Sequence, residues 1–343
     1  MDFLKLKPDT QTVRRMRYLA FGLALLFPLT SLADDPPVQQ PEDLPPKPGF
    51  IDFQRDYVAE KFVSLANEID SFFGDDRNFQ ETNKSVLQID ATRVMQQANA
   101  PNIGLTYKAK FHLPNAQKRL HLLLESNPDQ NLPGQTLVQQ LLRQDASVFK
   151  EVATPDSYGA AIRFENKEGS PFQLSADGGL KADSGQQFYS YSVHPFARSS
   201  ASYTQPLKSV QLKWTESLFW FNTTGVGENT QLDVDHHYTD KVLFRATTGA
   251  TFLVSNEDYT FHQDFSIFDT LNEQASLLYQ ISATGVSRPA AEVAEYIAMV
   301  LYRRRVHQDW VFLDINPQLH YPKANDFQLN AELILRLEFM FSK

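Results

Sequence analysis

Three groups of residues in this 343-residue chain have types and spacings that could do chemistry. Asp233, Asp235 and His237 recur at two-residue intervals, as do His262 and Asp264. Alternate residues of an extended strand share a face. Each group therefore presents carboxylate and imidazole together, an arrangement able to activate a water. The doublet His236-His237 cannot chelate as a pair, because neighbouring strand residues point to opposite faces. His237 with Asp235 and Asp233 offers a cation a mixed donor set, but charges on the polar face of a strand account for the same pattern. No Gly-rich loop leads from a strand into a helix, so nucleotide chemistry has no support. The chain has no cysteine, which removes disulfides, thiol nucleophiles, thiolate metal sites and an N-terminal lipid anchor. No cofactor and no metal are expected.

The strands that must position these groups are best read from the last stretch, Gln328 to Lys343. Leu329, Ala331, Leu333, Leu335, Leu337, Phe339 and Phe341 occupy every second position, with Asn330, Glu332, Arg336 and Glu338 between them. Ile334 and Met340 are lapses in the polar set. Period-2 alternation predicts a β-strand with one apolar and one polar face. A polar face carrying charges of both signs does not pack on an ordinary core. An apolar outside with a polar inside is the pattern of a transmembrane β-barrel strand.

Upstream, segments of about ten residues repeat the theme, long enough to cross a membrane when tilted. The clearest are Asn102–Leu113, Pro171–Ala182 and Gln274–Gly285; Gln117–Ser126 and Thr230–Tyr238 are shorter, and the poorest is Lys84–Met95. Gln186–Tyr203 contains Pro195 and is expected to bend or bulge there. Asn127–Asp156 is the one long connection, with a short helix expected around Leu137–Leu142. The tally is about fourteen strands, an even number as single-chain bacterial barrels require, with twelve as the alternative. The same alternation points a set of side chains into the lumen. Early strands supply Lys108, Lys110, His112, Arg119, Arg163, Glu165, Asp177 and Lys181. Later ones supply Asp233, Asp235, His237, Arg245, His262, Asp264, Asp314 and Arg336, with Arg198, Lys213, Glu332 and Glu338 facing the same way.

A net charge of −9 argues against a nucleic-acid partner. Arg14, Arg15 and Arg17 precede the apolar run Tyr18–Leu29 and the small-residue site Ser31-Leu32-Ala33. That order predicts a secretory signal peptide over residues 1–33, with Met1 or Met16 as its start. Residues 34–49 are a proline-rich tether. Residues 50–82 hold an amphipathic helix and a linker; Ile51, Val58, Phe62, Leu65, Ile69 and Phe72 recur along one helical face. That face suits a plug over the barrel mouth or a dock for a periplasmic protein partner. Residues 83–343 form the barrel, and lipid of the outer membrane surrounds it.

The terminal alternation resembles the last strand of bacterial outer-membrane proteins. Leu337, Phe339 and Phe341 match it, although Ser342 and Lys343 follow the final aromatic. The resemblance implies an assembly signal read by the barrel-assembly machinery. The stretches Asn67–Asp75 and Tyr302–Leu319 resemble those of an uncharacterised proteobacterial outer-membrane β-barrel family. That resemblance implies location in the Gram-negative outer membrane and architecture, and it supplies no catalytic or binding residues. Two enzyme types compete with a plain barrel wall. An outer-membrane phospholipase would place Ser two positions after a His, and none of the eight histidines meets this. An omptin-type Asp/His protease places its site at the outer rim, whereas the strand order puts Asp235 and His237 at the periplasmic end. The expected function is porin-like or gated passage of small hydrophilic solutes, without enzymatic activity. The alternative is a non-conducting structural or envelope-assembly barrel whose helix contacts a partner.

Overall fold

The computed structural model describes residue 72 and residues 85–342, apart from 97–101, 114–118, 132–156, 167–169, 185–190, 223 and 256. The signal peptide, the tether and the short helix expected around Leu137 lie outside these residues, as does all of the amphipathic helix except Phe72. Fourteen strands follow one another: β1 (Val86–Gln96), β2 (Asn102–His112), β3 (Leu120–Ser126), β4 (Ser157–Glu165), β5 (Phe172–Ser184), β6 (Tyr191–Pro206) and β7 (Val210–Phe221). They continue as β8 (Gly225–His237), β9 (Val242–Leu253), β10 (Asp258–Asn272), β11 (Ala275–Val286), β12 (Glu292–His307), β13 (Val311–Pro322) and β14 (Asn330–Ser342).

Each strand pairs with its sequence neighbours, and β1 pairs antiparallel with β14, closing the sheet into a barrel. Closure leaves no sheet edge, the condition a β-structure must meet in hydrocarbon, where no water pairs with free N–H and C=O groups. With an even number of strands, β1 begins and β14 ends at the same rim, called here the near rim. Val86 opposite Ser342 marks it.

Alternation sorts the side chains as the sequence predicts. Leu105, Ile162, Leu180, Leu218, Ile267 and Ile281 stand exposed on the outer surface, forming an apolar belt. Aromatic residues gather at its two margins, as they do where a membrane meets water. At the far margin Phe252 packs with Tyr259, and Tyr296 with Phe327. At the near rim the Trp310 ring lies 6.1 Å from Phe339 and stacks on Phe341 at 5.1 Å.

Two local expectations are corrected. The β5–β6 register runs unbroken through Pro195, opposite Leu180, with no bulge. The pairing of β6 with β7 begins only at Phe196 opposite Phe221, so Pro195 has a partner strand on one side alone. A residue without an N–H is tolerated at such an edge. The second correction concerns β8, which starts at Gly225 and not at Thr230, paired to β7 from Phe221 onward.

The terminal aromatics yield a prediction. Replacing Phe339 and Phe341 with Asp puts two charges on the outer face beside Trp310, near the rim, where each costs at most about 1 kcal/mol, and removes the aromatic pattern of the terminal strand. If the terminal strand carries the assembly signal expected from the sequence, the double variant is lost from the outer-membrane fraction, as measured by immunoblot after membrane separation. Wild-type accumulation would contradict that expectation.

Candidate functional site: the barrel lumen

The inward side chains pair along the wall more than across it, because strand register sets charges side by side. Arg163 lies opposite Asp177 in the β4–β5 register, and Asp177 lies opposite Arg198 in the β5–β6 register. The Arg163 guanidinium donates to Asp177 at 2.5 and 2.6 Å, and Arg198 Nε donates to the same carboxylate at 3.0 Å. Glu165 closes one end of this chain by accepting from Lys110 Nζ at 3.0 Å.

A second chain crosses β12, β13 and β14. Arg303, Asp314 and Arg336 are lateral register neighbours. Arg336 reaches Asp314 at 2.5 Å, and Arg303 holds Asp314 at 3.0 Å and also Glu338. A third fork, from Arg245 to Asp235 at 2.6 and 2.8 Å, joins β9 to β8. Forked guanidinium–carboxylate pairs are strong and fix geometry. Cross-strand pairs of opposite charge also support the sheet itself.

Where each predicted site residue stands follows from this. Lys108, Lys110, Arg163, Glu165, Asp177, Lys181, Asp233, Asp235, Arg245, Asp264, Asp314 and Arg336 are buried. His112, His237 and His262 are half-buried. Arg119 departs from the set: β3 begins at Leu120, later than the alternation suggests, so Arg119 stands exposed in the turn. Sequence reading missed Arg303, Glu125, His121 and Asp90, all buried in the lumen.

The groups that could do chemistry are mostly engaged elsewhere. Asp235 is taken by Arg245. Asp233 accepts from Thr247 Oγ1 at 2.7 Å and from Gln231. His262 Nε2 stands 3.9 Å from Asp264, its ring lying where a Cβ on Gly249 would come within 2.2 Å. Among the described residues no cluster of three or more His, Asp or Glu is placed to hold a metal.

The lumen is not uniformly polar, which corrects the simple polar-inside reading. Ile334 pairs laterally with Val94 and with Asn316; Leu301 pairs with Leu278, Leu278 with Phe268, and Phe268 with Leu243. All face inward, and with Met299 they form one buried apolar cluster. The result is an arc from β9 around to β1, broken only by Asn316 on β13. Asn316 is 1% exposed, and both its amide atoms lack a hydrogen-bond partner. Toward the near rim the arc is bordered by Arg303, Asp314 and Arg336. Phe196, Phe219, Phe221, Leu123, Ala161 and Val86 form a second inward cluster.

The degree of burial is the deciding fact. Eight strands enclose a space that wall side chains just fill, and wider barrels enclose more. Yet in this fourteen-stranded wall Arg303, Lys110, Leu243 and Leu301 are each 0% exposed. Chain other than strand must therefore occupy the interior.

Two such pieces are described. The start of the β3–β4 connection turns inward: Arg198 Nη1 donates to the carbonyls of Pro128 and Asn131 at 3.1 and 2.9 Å, and Lys181 Nζ holds Asp129 at 2.6 Å. Gly159 permits this, since a Cβ there would lie 2.9 Å from the Pro128 ring. The other piece is Phe72, which packs edge-on against inward-facing Phe312 at 5.8 Å and against the apolar arc.

No protein-family model and no curated protein matches the chain. Among solved structures the chain is similar to the KdgM porin, with TM-score 0.35 and 10% identity over 74% of this chain and 99% of that one. It is similar to a bacterial polysaccharide outer membrane secretin (TM-score 0.43, 8% identity, 76% and 99% covered). A third likeness is to the outer membrane channel DcaP of Acinetobacter baumannii (TM-score 0.41, 8% identity, 75% and 96% covered). The architecture assigned here rests on the closed strand pairing and not on these likenesses.

Two substitutions test the lumen wall. Arg303→Met strips two buried carboxylates of a partner and is expected to destabilise the barrel by about 3–5 kcal/mol. Asn316→Leu removes two unpaired polar atoms from an apolar row and is expected to stabilise by about 1–3 kcal/mol. Urea-unfolding midpoints in lipid vesicles measure both, and an unchanged midpoint for Arg303→Met would contradict the ion-pair chain.

Proposed function

We propose that the chain is a channel of the Gram-negative outer membrane for small hydrophilic solutes, reached through a secretory signal and closed in the conformation described. The observation that carries this reading is lateral charge pairing. Arg163–Asp177–Arg198, Arg303–Asp314–Arg336 and Asp235–Arg245 all join neighbouring strands. Such pairs survive when the lumen fills with water, because nothing has to be pulled across it. The charged stretches of the inner wall then keep a polar surface suited to hydrophilic solutes. The outer apolar belt faces lipid, and the terminal aromatics Phe339 and Phe341 serve the assembly machinery.

A non-conducting structural barrel is the second reading, favoured by the burial of the inner wall. Unitary currents from the refolded full chain in planar bilayers separate the two. A channel is expected to show brief, voltage-dependent conducting steps on a mostly closed baseline. Silence at every voltage, with folding verified by heat-modifiable gel migration, would overturn the channel reading.

A further inference from the structure

The apolar arc inside the barrel has no place in a solute pathway, and it is covered. We infer that it is an intraluminal docking surface whose occupant is the chain's own amphipathic segment, residues 50–73, with Phe72 as the anchor. Phe72 already marks the position. Its ring meets Phe312 edge-on at 5.8 Å and lies beneath the Arg305 guanidinium, 5.8 Å from its centre. Arg305 also caps Phe312 at 5.6 Å, so one cation spans both rings. Phe72 packs as well on the cluster that includes Val94, Ile334, Leu301, Leu278, Phe268 and Leu243.

Chemistry agrees with this occupant. Ile51, Val58, Phe62, Leu65 and Ile69 share the helical face that ends at Phe72. An apolar stripe and an apolar arc, joined at one observed contact, bury each other.

Reach agrees too. Only residues 73–85 separate Phe72 in sequence from the start of β1 at the near rim. Phe312 and Arg305, which bracket Phe72, sit close to that rim, at the start of β13 and the end of β12. Exposed Leu207, on the opposite wall of the same rim, stays uncovered at 49%. The segment thus enters along β12 and β13 and does not cap the whole mouth. Docking stands on this geometry alone; its effect on conduction rests on the channel reading above.

The chain's lack of cysteine makes the test clean. In the full chain, Phe72→Cys paired with Leu301→Cys is expected to cross-link through a short bis-maleimide, seen as a gel shift. Phe72→Cys paired with Leu207→Cys is not. In parallel, Leu301→Cys alone is expected to react with a water-soluble maleimide about tenfold more slowly than in a Phe72→Asp background, since a short tether presents its segment at millimolar effective concentration. Cross-linking to Leu207 but not to Leu301, or equal labelling in both backgrounds with folding verified, overturns the docking. A cross-link that forms in a protein silent in bilayers upholds the docking and removes only the channel reading.

Discussion

Everything in this molecule depends on the pairing of β14 with β1. A β-structure can enter hydrocarbon only when every backbone donor and acceptor is paired, and the last open edge is satisfied only when Val86 finds Ser342 and the ladder zips along eleven residue pairs. Closure fixes the register all round the ring. Register in turn decides which inward side chains become lateral neighbours. The charged chains across β4–β6 and β12–β14, and the apolar arc from β9 to β1, are consequences of that one constraint.

The second consequence is width. Fourteen strands enclose more space than their own side chains fill, so an empty lumen would leave the inner wall wet. The wall is dry, with arginines and leucines alike fully buried. Chain other than strand supplies the filling, through Pro128–Asn131 at one place and Phe72 at another. Ion pairs running along the wall and non-strand pieces resting against it make a combination in which the contents can change while the wall stays intact. That separates the stability of the barrel from the state of its lumen.

Much of this was legible in the residues because a strand repeats every second position. Ala275, Leu277, Tyr279, Ile281 and Ala283 spell β11 outright, and Asp235, Arg245, Asp314 and Arg336 read as inward from parity alone. The misses have physical causes. Arg303 sits in a run of three arginines, where period cannot say which one turns inward. On β1 the polarity inverts, with Arg93 exposed and Val94 buried, because Val94 belongs to the intraluminal arc. Ile334 looked like a lapse in β14 for the same reason. Glu125 and His121 were available from the outward leucines around them, yet β3 is short and carries little signal. Which charge meets which could not be read at all, since partners such as Arg198 and Glu125, 2.5 Å apart, are set by register across several strands.

A nitroxide accessibility scan of β11 tests the central claim, a closed barrel with a filled lumen, most directly. Single labels at Leu277, Tyr279 and Ile281 should relax with oxygen dissolved in the bilayer. Labels at Ser276, Leu278, Gln280 and Ser282 should be shielded both from oxygen and from a water-soluble nickel chelate. Strong broadening of the inward set by nickel would mean an open, water-filled lumen in the resting protein and would contradict the account.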